Sequence, residues 1–472
     1  MKNISTLHIY FFLFSILTLQ KESFSQNVGI GTATPVGRFH IKGSADTSQL
    51  VIDANFTQSN FRPLIRLRRS NGADLMWIHS DNTTNTFLGL NAGSVNNANG
   101  GATYNSFIGS NSGFSNTSGN YNTTNGSNAF FYNTSGSNNT AFGSYSLYKN
   151  ISGYWNTANG ESTLRSNTTG HSNTASGTNS LYNNSTGYFN TAIGTSVLVN
   201  NTTGYANTGS GYQALLYNNS GSFNNSSGIY SLYSNMSGFY NSAIGSYSLY
   251  SNSTGTGNIG VGHYALFSNS TGSYNTSLGY GAGCNNGQNP SNFTAIGYGS
   301  GHIAGMSNEM EIGNSSVSWI GGNVGWGTYS DKRIKDNIQS NVPGLLFINK
   351  LNPVTYNLNI HRQNEMCGIK DSAQWDGKYD IEKISQTGFL AQEVEAAAIE
   401  SGYDFNGVRA PHGNAKLYSI QYAAFVVPLV KAVQELANQN DELLKQVYEQ
   451  KKQYEALVKR VEKLESFLDS KK

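Results

Sequence analysis

The chain predicts a mainly β, fibrous fold: a parallel β-roll or solenoid shaft of short repeats, then a C-terminal α+β domain and a coiled coil. Three observations carry that reading. Glycines recur at a strict interval of 17 residues from Gly109 to Gly279. Those repeats are almost free of charge, whereas the sequence after residue 330 is charged and helical in pattern. The end of the chain alternates apolar residues at steps of three and four, the signature of a helical seam.

The bulk numbers narrow the function classes. At 472 residues there is room for two or three domains. Charged residues make up 12%, with 53 glycines and 7 prolines. Usual globular chains carry about a quarter charged residues. The net charge is +2, and between Ser106 and Gly279 the charged residues are Lys149, Glu161 and Arg165. No basic groove for nucleic acid and no phosphate cradle can be built there. The two cysteines, Cys284 and Cys367, lie far apart and form no CxxC or zinc pattern. They read as two unpaired thiols; a disulfide between them is the alternative in an oxidising compartment. No cofactor and no metal is expected.

Residues 1–25 read as a secretory signal peptide. Lys2 is the positive start, an apolar run spans 9–19, and Ser23-Phe24-Ser25 supplies small residues before a cut near Gln26. The run is shorter than the roughly 20 residues a membrane span needs. An uncleaved anchor is the alternative. The mature chain is expected to be exported, secreted or at the cell surface, with no membrane span. Residues 26–86 are expected to form an N-terminal β cap. Within them LIRLRRS and LMWIH alternate as strands do. The opening stretch NVGIGTATPVGRFHIKG resembles the start of tail-fibre-like exported bacterial proteins.

Residues 87–317 are read as the shaft. A second glycine series, from Gly119 to Gly272, and a leucine series, from Leu147 to Leu266, run in step with the first. One unit reads NTAIGTSVLVNNTTGYA, residues 190–206. A strict period without insertions means one structural unit per repeat, stacked on its neighbours. Glycine and asparagine disfavour helix and suit turns. Each coil is therefore expected to hold two short strands, 191–193 and 195–198 in this unit, and two turns. Stacked at about 4.8 Å, the eleven coils counted by the first glycine series reach roughly 50 Å. So small a coil offers little apolar surface, so three chains are expected to pack their apolar sides together as a homotrimer. The N-x-A-x-G pattern over about 87–299 resembles the head repeats of trimeric autotransporter adhesins, which implies trimeric rolls.

Several functions can be weighed on such a shaft. Calcium-binding solenoids place an Asp in each repeat, and residues 106–279 contain none. Threonine positions vary between repeats, which disfavours a flat ice-binding array. Glycoside cleavage needs two carboxylates, and Glu161 is the one acid in the repeats. What remains is a shaft that binds a surface glycan or cell-surface ligand, or a plain spacer. Tyr154, Tyr188 and Tyr205 are expected to pack between coils near one turn. Residues 310–313 and 317–326 look like the last strands, with 318–329 as a border strand or linker.

The rest of the chain divides into a domain at 330–421 and a coiled coil at 422–472. In the first, 388–401 reads as a helix with Phe389, Leu390, Val394, Ala397 and Ala398 on one side, and 366–380 as a surface loop. In the second, position a falls at Val426, Val433, Asn440, Val447, Tyr454, Val461 and Leu468. Position d falls at Tyr422, Leu429, Leu436, Leu443, Gln450, Leu457 and Leu464. Asn440 in the core would fix register and often favours dimers, so the heptads leave the chain number open. Pro428 should start or kink the helix. An amphipathic helix packed on its own domain is the alternative.

The border carries TYSDKRIKDNI, residues 328–338. Read locally, Ser330 is a helix N-cap, Asp331 suits the first turn, and Lys332, Arg333 and Lys335 form a solvated face. SDKRIKDNI, followed by GFLAQEVE at 388–395 and a terminal coiled coil, resembles the intramolecular chaperone domain of endosialidases and tail fibres. That family is classed as a self-cleaving serine peptidase, and the resemblance covers about 330–468. It implies that Ser330 is the nucleophile, that Lys335 assists it, and that the bond cut is Tyr329–Ser330. Asp331 and Arg333 then hold the geometry. It further implies a trimerisation chaperone released after folding. A permanent trimer clamp without proteolysis and a shaft-borne polysaccharide depolymerase are the rival readings.

Overall fold

The computed structural model describes residues 28–30, 39–41, 50, 52–53, 63–283, 287–301, 306–369, 375–411 and 416–471. The expected signal peptide and Cys284 lie outside them. Near the N-terminus β1 (Val28–Ile30) pairs in parallel with β2 (Phe39–Ile41). A sixteen-stranded sheet follows, in strict chain order. Its first members, β3 (Ile65–Arg68) and β4 (Asp74–His79), are antiparallel, and β4 also meets β5 (Thr86–Leu88) antiparallel. This hairpin closes the N-terminal end of the shaft. From β5 through β6 (Ser106–Ile108) to β18 (Met310–Ile312) every pairing is parallel. Thr174, Thr191 and Thr208 are register partners, one coil apart. The interval changes at the ends, where Thr86 pairs with Ser106 and Thr294 with Met310.

Each coil holds one strand, not two. In the unit at 190–206 the strand is Thr191–Ile193, and residues 195–200 are a continuous turn. Ser196 and Leu198 sit in the left-handed region, at φ 57° and 54°. The curl does not forfeit inter-coil hydrogen bonds, because the Leu198 N–H still donates to the Ala214 carbonyl of the next coil at 3.0 Å. A second extended segment is therefore unnecessary, and the curl turns Leu198 inward.

That inward turn builds a core within one chain. The leucines from Leu147 to Leu266 are fully buried, facing a strand column of Ala141, Ala158, Ala175 and Ala192 that is equally buried. Burying a leucine side chain is worth about 1.5–3 kcal/mol, and each of these coils supplies one. The shaft thus does not need three chains to hide its apolar side, which corrects the ground on which trimer packing was expected.

Asparagine suits turns by type, yet two asparagines per coil are core residues. Asn207 donates from Nδ2 to Asn190 Oδ1 at 3.2 Å and to the Gly221 carbonyl at 2.8 Å. Its backbone N–H also reaches Asn190 Oδ1, at 3.0 Å. The second ladder repeats the scheme: Asn201 Nδ2 donates to Asn184 Oδ1 at 2.7 Å and to the Gly204 carbonyl at 2.9 Å. Buried amides must be paired, and a ladder pairs each one with the coil before and the coil after. It also explains the second glycine series. A Cβ on Gly204 would stand 2.3 Å from Asn201 Oδ1 and 2.4 Å from the Gly221 carbonyl oxygen.

Side chains on the outside also form columns. Tyr154, His171, Tyr188 and Tyr205 stack with centroids 4.7, 5.1 and 4.8 Å apart. Arg165 lies between Tyr148 and Tyr182, 5.5 Å from each ring centre. The threonines are more regular than the sequence suggested: Thr123, Thr140, Thr157, Thr174, Thr191 and Thr208 occupy one register position. The outward position beside them reads Asn125, Phe142, Asn159, Ser176, Ile193, Ser210, so no flat threonine array results.

The C-terminal part is α+β. It comprises α1 (Leu345–Ile348), β19 (Val354–Tyr356), α2 (Ile360–Cys367), β20 (Gln386–Gly388), α3 (Ala391–Glu400), β21 (Val408–Arg409), β22 (Ser419–Ile420) and α4 (Val426–Asp469). Phe347, Val394, Ala397, Ala398, Phe405 and Phe425 form its core. The helix expected at 388–401 begins at Ala391, because Gln386–Gly388 pairs with Val354–Tyr356. Leu390 is consequently exposed, unlike the buried Val394, Ala397 and Ala398. The loop expected at 366–380 loses Met366 and Cys367 to α2, which ends at Gly368 with φ 70°. Pro428 lies in the first turn of α4 and starts it, where its missing N–H is harmless.

Helix α4 runs for 44 residues, and its heptad side chains, among them Leu436, Leu443, Val447, Leu457, Val461 and Leu464, are exposed. Its base is fixed to α1, with Glu435 Oε2 accepting from the Leu345 N–H at 2.8 Å. The end of the shaft touches this domain through Tyr298 on Trp375, Ser315 on Asn364 and an Arg409–Glu309 ion pair. Among the described residues no helix is long and apolar enough to cross a membrane.

Candidate functional site

The border between shaft and C-terminal domain is a long solvated segment. Every residue from 317 to 341 is exposed. The strand expected at 317–326 does not form: Gly321, Gly322, Gly325 and Gly327 dilute the apolar residues, and no neighbouring strand pairs with them. Trp319, Val324, Trp326 and Tyr329 stand in water, Tyr329 at 96% exposure. The Tyr329–Ser330 peptide bond is therefore fully accessible in a single chain.

Local chemistry then organises residues 330–335. Asp331, not Ser330, is the cap. Its Oδ1 accepts from the Arg333 N–H at 2.8 Å and opens a short 3-10 turn, Lys332–Ile334. A carboxylate wins this role over a hydroxyl because its accepting oxygen is charged. The Arg333 guanidinium folds back on the same carboxylate, with Nη2 2.6 Å from Oδ2 and Nε 3.1 Å from both oxygens. The Arg333 hydrogen bond, then the Arg333 N–H, hold the Asp331 carboxyl below its ordinary value, and the same contact raises Arg333. The turn is thus closed by a charged pair.

Closing the turn brings Lys335 back over Ser330. Lys335 Nζ donates to Ser330 Oγ at 2.6 Å. The four residues singled out by sequence thus stand in one cluster: Ser330 with Lys335, and Asp331 with Arg333. All four are exposed. A lysine acts as a base once burial disfavours its ammonium form, and a single chain does not provide that burial here.

Other polar groupings escaped sequence reading. Glu382 accepts from the Ile360 N–H at 2.6 Å and meets His361 Nδ1 at 3.0 Å, which holds its carboxyl below the ordinary value. It thereby adds to the local Asn359 cap of α2, in which Asn359 Oδ1 accepts from the Arg362 N–H at 2.8 Å, from 22 positions away in sequence, a distance no local motif signals. Lys378 is 2% exposed and lies over the Trp375 and Tyr379 rings. A cleft of about 570 Å³ opens between Tyr356, Phe389, Gln392, Arg409 and Tyr422; none of its lining residues comes from 328–338. Cys367 is buried, and burial pushes its thiol upward. Among the described residues, no cluster of His, Cys, Asp and Glu is arranged to hold a metal ion.

A β-solenoid shaft joined through an exposed Ser/Lys turn to a small α+β domain with a long uncovered helix defines a fibre-type protein with a separate C-terminal domain. Residues 330–403 match the family described as chaperone of endosialidase. The match begins at Ser330 itself and covers α1 to α3, so it stops short of the 330–468 expected from sequence. No curated protein and no solved structure matches the chain. The chain is thus tail-fibre-like in layout, with a chaperone domain after a β-solenoid shaft.

Proposed function

We propose that this chain is the subunit of an exported homotrimeric fibre whose C-terminal domain assembles three chains and then detaches itself by cutting Tyr329–Ser330. The observation that carries the proposal is the 2.6 Å contact of Lys335 Nζ with Ser330 Oγ, at the first residue of the chaperone match. In the reaction Ser330 Oγ attacks the carbonyl carbon of Tyr329. Lys335 takes the hydroxyl proton and passes it to the departing Ser330 nitrogen as the C–N bond breaks. The resulting ester is hydrolysed by water, leaving a Tyr329 carboxylate and a new N-terminus at Ser330. The chain itself holds nucleophile and carbonyl together, so no substrate pocket is required.

Trimerisation supplies what the single chain lacks. Three copies of α4, joined along their exposed heptad seam, would bring three borders together. The exposed Trp326, Tyr329 and Ile334 then offer apolar surface to bury Lys335 and favour its neutral form. A parallel solenoid folds slowly, since its contacts are long-range and its strand edges stay open. Linking three chains first raises their local concentration. Once freed, the shaft serves surface attachment, with a glycan or cell-surface ligand as its partner.

The test is the intact mass of the folded protein and of Ser330→Ala. Fragments ending at Tyr329 from the wild type, and an uncut variant, support the dyad. If the wild type stays whole and trimeric, the domain is a permanent clamp. A variant that still gives the short product would sink the assignment of Ser330.

A further inference from the structure

We infer that one face of the shaft is a binding platform for an extended, uncharged β-1,4-linked polysaccharide; this deepens the reading of the shaft as an attachment element and rests on it. Between residues 121 and 223 the rings of Tyr121, Trp155, Phe189 and Phe223 occupy one position in every second coil and are 54, 62, 60 and 44% exposed. At either end of this stretch the adjacent coil also carries a ring there, Tyr104 stacked on Tyr121 at 4.8 Å and Tyr240 on Phe223 at 5.0 Å, so the alternation belongs to the central stretch of the shaft. The coils between them place Asn138, Ser172 and Ala206 there. All seven residues share the left-handed backbone, with φ between 53° and 58°. That conformation favours glycine and asparagine and disfavours bulky side chains. The fold therefore neither needs rings at this position nor buries them, and an exposed ring on a strained backbone points to a use.

The rings are held in place. Trp155 sits edge-on to Tyr154 at 5.1 Å, Phe189 to Tyr188 at 5.3 Å and Phe223 to Tyr205 at 5.1 Å. Their anchors belong to the stacked column that advances one coil at a time. Two coils therefore advance roughly 10 Å at the strand spacing. In a β-1,4-linked chain each sugar is turned over relative to the last, so the same face recurs at every second sugar, a step of comparable length. The apolar C–H face of a sugar packs on an aromatic ring, and its hydroxyls need neighbouring donors and acceptors. Two residues on in each coil, Thr157, Thr174, Thr191 and Thr208 form an unbroken column that is at least partly exposed.

Charge decides between polymer classes. Between Ser106 and Gly279 the ionic side chains are Lys149, Glu161 and Arg165. Arg165 is already packed between Tyr148 and Tyr182 in a different column and donates to the Tyr182 hydroxyl. An anionic polymer would find no row of cations, whereas a neutral one loses nothing on meeting a neutral face.

The full-length protein is mixed with insoluble cellulose, with chitin and with anionic alginate beads, and bound protein is measured. Binding to cellulose or chitin is expected to weaken about tenfold or more in the triple variant Trp155→Ala/Phe189→Ala/Phe223→Ala, on the strength of lost ring contacts. Other coils carry small residues at the same position, so the variant should fold, and circular dichroism and sedimentation check that. A second variant, Phe189→Ala/Ala206→Phe, keeps the ring count and breaks the two-coil spacing. It should bind as weakly as Phe189→Ala alone, and full binding would overturn the spacing argument. Wild-type binding to alginate alone overturns this proposal while leaving surface attachment standing. No binding to any of the three overturns it as well. A change of oligomeric state in the triple variant also overturns it, since the rings would then be an interface between copies of the chain.

Discussion

The Arg333 guanidinium closes on the Asp331 carboxylate two residues before it, at 2.6 Å, and that contact shapes the turn that sets Lys335 on Ser330. On the proposed mechanism Asp331 and Arg333 are positioning residues. Asp331→Ala removes both the cap and the ion pair, and is expected to slow appearance of the Ser330 fragment at least about tenfold. The shaft should melt unchanged, because the pair lies in water and touches no core. Asp331→Asn keeps the cap and should recover part of the rate. The contact also has a pH sign. The Asp331 carboxyl lies below its ordinary value of 3.8, so the pair is intact above that value and is lost as pH falls through the lowered one. Time courses by mass spectrometry, compared across the variants, check this.

The asparagine ladders should be as sensitive as the leucine column. Asn201→Ala leaves Asn184 Oδ1 without its donor and Asn218 Nδ2 without the acceptor it holds at 2.8 Å. Two stranded amide groups in the interior cost about 2–4 kcal/mol. Leu198→Ala should cost a similar amount, about 2–5 kcal/mol, through the cavity it leaves. Gly204→Ala should be worse than either, since its Cβ has no room. Urea unfolding of the three variants against wild type measures the order, and an Asn201→Ala shaft as stable as wild type would refute the ladder's role.

Much of this fold could be read from period alone. The 17-residue interval gave stacking, parallel pairing and a leucine column in step with the glycines, though not that the column faces inward within one chain, and the heptads gave a long C-terminal helix. The inside of a coil was harder. Leu198 and Ser196 lie in left-handed backbone, which the propensities of neither residue announce, so a turn looked like a strand. Asn190 and Asn201 are typical turn residues by type, and only their repetition at one register makes burial affordable. At the border, Ser330 and Asp331 compete for one cap, and sequence cannot weigh a hydroxyl against a carboxylate that also holds Arg333. The second support at the start of α2, Glu382 beside the local Asn359 cap, depends on tertiary folding and left no local trace.

His79 should make the N-terminal end of the shaft sensitive to acid. It is 4% exposed, packed between the Trp77 and Phe87 rings, and burial lowers its pKa from the ordinary 6.5. A histidine depressed in the folded state takes up its proton more readily when unfolded. Its contribution is therefore complete above about 6.5 and is lost as pH falls below that toward the lowered value. The protection of amides across 74–88, measured against their intrinsic exchange rates, should fall between pH 7.5 and pH 5. His79→Phe should flatten that dependence, and an equal loss of protection in the variant would assign the effect elsewhere.

The uncovered seam of α4 gives the sharpest separation between fold and assembly. Leu443 and Leu457 are 57 and 56% exposed in one chain, so replacing both with Asp costs the isolated domain little. If three helices share that seam, the same charges fall in its core, where an unpaired carboxylate is strongly disfavoured. Leu443→Asp/Leu457→Asp is thus expected to be monomeric by analytical ultracentrifugation while Phe347, Phe405 and Phe425 keep their packing, read from near-ultraviolet circular dichroism. Cleavage before Ser330 should stop in the same variant, because Lys335 then stays in solvent. Asn440→Val tests the opposite property. A valine at this position removes the polar group that fixes alignment, so the assembly should resist heat better and lose its single defined size. A variant with Asp at both positions that remains trimeric would place the contacts between chains on the shaft or the border, and the seam would then be an outer face of the helix.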